Sequence, residues 1–138
     1  MLVLAVIAMA SSAAAWFRDF DARAIVDQKI NYTIVGGRFS PTLGIDLTRE
    51  VVMLSVAGAK AFCLSVSAGS FRKNELGGYV ASVRRSFSKT DILLQPFSGG
   101  DWVYSVGIED FAPGSTPVTV SLAIGSQAGK ATVEVYAF

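Results

Sequence analysis

From Lys29 onward the chain alternates. In "KINYTIVGGRF", Ile30, Tyr32 and Ile34 alternate with Lys29, Asn31 and Thr33, the period of two that marks a half-buried strand. Gly36-Gly37 within it marks a bulge or a bend. "SPTLGIDLTRE", with Pro41, Gly44 and Asp46, reads as a connecting loop. "VVMLSV", "AGAK" and "AFCLSV" then give strand, turn, strand, with Val52, Leu54 and Val56 on one face and Phe62, Leu64 and Val66 on one face of the partner. In "SAGSFRKNELGGYV", residues 67–71 are expected to end a strand and 72–78 to form a hairpin connection. Tyr79 opens the return strand, with Tyr79, Ala81 and Val83 sharing a face.

"SFSK" turns the chain into "TDILLQPF", "SGGD" turns it into "WVYSVGI", and "EDFAPGSTP" is a loop with two prolines. A hairpin around "SQAG" closes the chain. In it Val118, Val120, Leu122 and Ile124 point one way, and Val133 and Val135 share the face of the last strand. Only Trp16 to Gln28 keeps neither period; it reads as a helical turn or a leader strand.

About eight short strands with Gly-rich turns predict an all-β domain. Short connections favour antiparallel neighbours. The expected fold is an antiparallel β-sandwich of two meandering sheets, with a small closed β-barrel as the alternative.

The N-terminus breaks this pattern. "MLVLAVIAMASSAAA" is uncharged and ends in small residues. Its apolar run has the length of a secretory h-region and "AAA" fits a small-x-small cleavage site, whereas a spanning helix needs about 20 apolar residues. Residues 1–15 are therefore expected to be a signal peptide or hydrophobic leader, cleaved after Ala15, and residues 16–138 a single domain. The competing readings are a membrane anchor and the hydrophobic helix of a filament subunit. A signal peptide places the mature chain outside the cytoplasm, in the periplasm, extracellular space or at the cell surface.

Composition narrows the chemistry. The 138 residues carry 12 basic and 11 acidic side chains, one cysteine and no histidine. A near-neutral balance gives no sign of a nucleic-acid partner, whose binders carry clustered basic surface, and a membrane partner is expected only through an uncleaved leader. One cysteine excludes an intrachain disulfide and, without histidine, a Cys/His zinc site. Ser–His and Cys–His nucleophile systems are excluded as well. No cofactor, metal site or catalytic set is expected.

Three stretches, "VSAGSFRKNELGGYV", "PFSGGDWVYSV" and "TPVTVSLAIGSQAGKATVEV", occur in an order that resembles a β-repeat of large secreted proteins of environmental bacteria. In that repeat a "PAGSF" strand end leads through a Lys- and Gly-rich turn to a "YVF" strand. A "P-L-G-G-x-x-W" hairpin follows, and the unit ends in "NPVTVSLTIGDDSGTATV". The upstream "GGRFSPTLGIDLTREVVMLSV" is similar to the segment that introduces the repeat, so the resemblance runs from about Lys29 to Val135. This chain has Ser67-Ala68-Gly69 in place of "PAG", and "GSQAG" in place of the acidic turn, which removes the carboxylates a calcium site there would need. The resemblance implies a non-catalytic extracellular β-domain used in structure or adhesion.

Candidate contact residues are Arg72, Lys73, Arg84 and Arg85, which flank one predicted hairpin and suit an anionic glycan or phosphate, and Trp102, which offers a ring for a sugar to stack on. Positive charge on an exposed or edge strand also serves to block aggregation. Asp46, Asp91, Asp101, Glu109 and Asp110 lie in or beside loops, but no D-x-D-x-D spacing organises them for calcium. Three roles follow as expectations: a secreted structural or adhesive domain with a cell-surface partner or a second copy, a filament subunit joined by strand addition, and a carbohydrate- or ligand-binding module.

Overall fold

The computed structural model describes residues 15–138; the expected leader, apart from Ala15, lies outside the described residues. Two sheets pack face to face as a β-sandwich, and the described residues form no closed barrel. The smaller sheet has the order β1 (Ala15–Trp16), β12 (Gln127–Val133), β11 (Val118–Ile124), β5 (Val52–Ala57), β6 (Ala61–Val66). The larger has β13 (Val135–Ala137), β3 (Arg23–Asp27), β4 (Tyr32–Ser40), β10 (Trp102–Ile108), β9 (Ser88–Pro96), β8 (Tyr79–Arg85), β7 (Arg72–Lys73), with β2 (Asp19–Phe20) also on β4. All pairings are antiparallel except β1 with β12 and β13 with β3.

The interior is built by alternation. Val52, Leu54 and Val56 lie beside Ile124, Leu122 and Val120 on the smaller sheet's inner surface, and Val35, Phe39, Ile92, Leu94, Tyr104, Val106 and Ile108 come from the opposite sheet; all are at most 2% exposed. The aromatic end of this core holds Phe17, Phe20, Phe39, Tyr79, Trp102 and Tyr104 in a chain of stacked and tilted rings. Gly129 makes room for it, since a Cβ there would overlap the rings of Phe17 and Phe20. The Tyr104 hydroxyl donates to the Asp21 carbonyl at 2.8 Å, and burial holds its pKa far above the usual phenol range. The segment from Trp16 to Gln28 is thus strand in short pieces rather than helical turn, and its Phe17, Ala22 and Ala24 enter the core.

Four local expectations are corrected. In β4 the inward residues are Thr33, Val35 and Phe39, whereas Tyr32 and Ile34 lie on the outer face. The Thr33 hydroxyl is tolerated inside because it donates to the Phe111 carbonyl at 2.6 Å. Lys29 to Asn31 is a turn, not strand, with Asn31 at φ 54°. Residues 67–71 form a turn around Gly69 (φ 81°), and the short strand is Arg72–Lys73. Finally, the last strand breaks at Glu134: Val133 belongs to the smaller sheet and Val135 to the larger. Thr116 pins that corner, its Oγ1 accepting from the Val135 N–H at 2.9 Å.

At the opposite end of the sandwich the loop after β4 is fixed by Gln127, which is 1% exposed. Its Oε1 accepts from the Thr42 and Leu43 amides at 2.8 and 2.9 Å, and its Nε2 donates to the Leu43 carbonyl at 3.0 Å. All three side-chain bonds serve one buried amide, so the loop is tied to the start of β12 without an unsatisfied polar group.

Candidate functional site

Because every second residue of the larger sheet must face away from the core, its outer surface can be read from the strand registers. One row runs Tyr136, Ile25, Ile34, Gly107, Asp91, Ser82 across six strands. The next runs Arg23, Gly36, Ser105, Leu93, Val80, Arg72. Ile34, Val80 and Tyr136 are 40%, 38% and 75% exposed. The face therefore carries an aliphatic and aromatic ridge where solvated sheets carry polar side chains.

Small residues cut that ridge into two shallow troughs, one on each side of Ile34. The first, of about 380 Å³, is lined by Tyr32, Ile34, Val80, Ser82, Asp91, Leu93, Ser105 and Gly107. The hydroxyl end of Tyr32 sits over Gly107, where any Cβ would overlap it. The second, also about 380 Å³, lies between Arg23, Ile25, Ile34, Gly36, Arg38 and Val103. Polar groups edge both. Asp91 accepts from the Ser82 hydroxyl at 2.5 Å and pairs with the Lys89 ammonium at 3.5 Å. Arg38 reaches Asp101 at 3.5 Å and lies 5.3 Å from the centre of the Phe97 ring. The Ser40 hydroxyl, at 2.5 Å, and secondarily Arg38 hold the Asp101 carboxyl below the usual range.

The five residues singled out in the sequence do not form one patch. Arg72 and Arg84 are on the outer face of the larger sheet, at the border of the first trough, Arg72 opposite Val80 and Arg84 opposite Lys89. Lys73 follows Arg72 on the alternate side, opposite Tyr79. Arg85 turns to the smaller sheet, donating to the Cys63 carbonyl at 2.7 Å with its guanidinium 5.1 Å from the Phe62 ring centre. Trp102 is half-buried, stacked between Phe39 and Tyr79 at 6.1 and 6.0 Å. Its ring is a wall of the core.

Among the described residues, no three of His, Cys, Asp and Glu come together in a metal-sized cluster, and no helix is long and apolar enough to cross a membrane. The arrangement offers shape, apolar contact and hydrogen bonding. Sequence reasoning missed Tyr32, Ile34, Val80 and Leu93 because exposed apolar residues in a strand look the same as core residues. The available signal was the company they keep, with Gly36, Ser105 and Gly107 recurring beside them. No protein-family model, curated protein or solved structure matches the chain.

Proposed function

We propose that the chain is a non-catalytic β-sandwich module of the extracellular space or cell surface that acts by assembly, with the outer face of its larger sheet as the contact surface. The observation that carries this reading is the ridge of Ile25, Ile34, Val80, Leu93, Val103 and Tyr136 on that face. Contiguous apolar surface rimmed by polar groups is the mark of a protein contact site, and here Arg23, Arg38, Arg72 and Arg84 form the rim. The partner chemistry that fits best is a second copy of the same face, because an apolar ridge beside a trough is self-complementary under a two-fold rotation. The test is Ile34→Arg in the full chain, followed by light scattering over a concentration series. The wild type is expected to self-associate and the variant to remain monomeric and folded; identical association of both sinks the reading.

A second reading, a carbohydrate-binding module, is favoured by the first trough, where Tyr32 lies beside the hydroxyls of Ser82 and Ser105 and the Asp91 carboxylate. Aromatic faces with hydrogen-bonding groups suit a polyhydroxylated ligand. Glycan-array signals abolished by Asp91→Ala would support it, and an array without signal removes it. Assembly as a filament by strand addition uses a different surface, the free edge of β6, where Arg85 already occupies the Cys63 carbonyl.

A further inference from the structure

The edge of the larger sheet is only half covered. β7 is two residues long, with Arg72 opposite Val80 and Lys73 opposite Tyr79, whereas β8 runs on to Arg85. The chain before Arg72 arrives from the smaller sheet through the turn at Gly69, so it does not follow β8 further.

The register fixes where the uncovered backbone groups point. In an antiparallel ladder, hydrogen-bonded pairs alternate with non-bonded ones. The Asn74 amide donates to the Gly78 carbonyl at 2.8 Å, so the next bonded pair along is Arg72 with Val80. Val80 thus turns its N–H and C=O toward β7. Ser82 and Arg84 turn theirs to the same side, beyond the end of β7. Among the described residues neither meets a backbone partner there. β1, where the described residues begin, lies on the opposite flank of the sandwich.

Charge and shape mark the same place. β7 and β8 hold Arg72, Lys73, Arg84 and Arg85 and no acidic residue. Arg84 stands opposite Lys89, and like charges directly opposite each other destabilise a ladder. Neither Arg72 nor Arg84 has an ion-pair partner among the described residues. Where β7 ends there is a notch of about 360 Å³, lined by Ser70, Arg72, Val80, Ala81 and Ser82. Across the flank, Arg85 occupies the Cys63 carbonyl on the edge of β6, so the strand beside it is guarded while β8 is bare.

We infer that the edge of β8 at Ser82 and Arg84 is a strand-addition site for an extended acidic segment of a partner protein. The segment continues the line of β7, and its residues opposite Ser82 and Arg84 exchange N–H···O=C bonds with them. Main-chain bonding of this kind accepts any extended chain, and the side chains choose among them. A residue opposite Ser82 lies about 7 Å along the line from Arg72, with Arg84 on its other side. A carboxylate there sits between two guanidiniums and offsets the repulsion between Arg84 and Lys89. Basic residues on an edge keep like strands away; the same charges admit an acidic one. The site borders the proposed assembly face but does not rest on it, because its binding groups are the backbone of the sheet edge.

The probe is a short fluorescein-labelled peptide alternating Glu and Thr, titrated with the full chain at low salt and followed by fluorescence anisotropy. Binding is expected to weaken at least about tenfold with Arg84→Glu and when Lys replaces Glu in the peptide. Two further peptides carry N-methyl groups on alternate amides, in the two possible frames. Adjacent residues of a strand point their amides to opposite edges, so one frame should bind as the parent does and the other should lose binding. Equal affinity of the two frames overturns strand addition, whatever the charge dependence. Equal binding of the Glu and Lys peptides, or an Arg84→Glu variant that binds as the wild type does, overturns the acidic partner.

Discussion

The orientation of β4 decides which of its residues lie on the proposed contact face, and two neighbouring substitutions test it. Thr33 is 0% exposed and its hydroxyl bonds the Phe111 carbonyl at 2.6 Å; Ile34 is 40% exposed. Thr33→Lys would place an ammonium between the sheets. The effective penalty for burying an unpaired ion is several kcal/mol. The orphaned Phe111 carbonyl adds about 1–3 kcal/mol. Together these reach about 5 kcal/mol or more, comparable with the whole stability of an ordinary domain, so Thr33→Lys is expected not to fold. Ile34→Lys loses only part of one side chain's burial, and the lysine stem covers much of the same surface, for a cost of about 1 kcal/mol or less. Thr33→Val, with the volume kept and the hydroxyl removed, leaves only the Phe111 carbonyl unsatisfied and is expected to fold and to lose about 1–3 kcal/mol. Urea unfolding followed by tryptophan fluorescence, with Trp102 half-buried in the aromatic stack, measures the two folded variants and shows whether Thr33→Lys has a folding transition at all. If Thr33→Lys folds normally and Ile34→Lys does not, β4 is inverted and the outer ridge does not exist.

Other consequences are independent of β4. Gly129→Val should destabilise by about 3 kcal/mol or more, because the new side chain overlaps Phe17 and Phe20 in a close-packed interior; an unchanged midpoint in thermal melts would mean the aromatic end is loosely packed. Ser40→Ala should alter the acid limb of stability. The folded Asp101 carboxyl titrates below its unfolded counterpart, chiefly through the Ser40 hydroxyl, so its contribution is complete above about pH 4 and is lost as pH falls through the lower folded value. The gap between wild type and Ser40→Ala should accordingly narrow as unfolding is measured from pH 6 down to pH 2. A gap that stays constant would show that the hydroxyl acts on something other than the carboxylate.

Much of this architecture was legible because the strands obey simple alternation. In β5, β6, β8 and β11 the residues expected to face inward do so: Val52 and Leu54, Phe62 and Leu64, Ala81, Val120 and Leu122 all lie in the core. The alternation in β4 misled because Ile30, Tyr32 and Ile34 are more apolar than the inward-facing Thr33, whose burial depends on a carbonyl 78 residues away in sequence. Long-range partners of that kind leave no local trace. The same reason hid the parallel pairing of β13 with β3 and the sheet change at Glu134, since a seven-residue strand followed by a three-residue one looks like a single run. The basic cluster was visible as sequence but not as a surface, because adjacent strand residues point to opposite faces. Arg84 and Arg85 separate for that reason alone.

The central claim is that the outer face of the larger sheet is where this module meets its partner. Hydroxyl-radical footprinting of the full chain, below and above the concentration at which it associates, tests that claim most directly. The account predicts that Tyr32, Val80, Leu93 and Tyr136 become protected together on association, while Leu76 and Phe87, 84% and 99% exposed at the hairpin turns, react equally in both states. Protection confined to the hairpin turns or to the edge of β6, with the ridge equally reactive throughout, would contradict it.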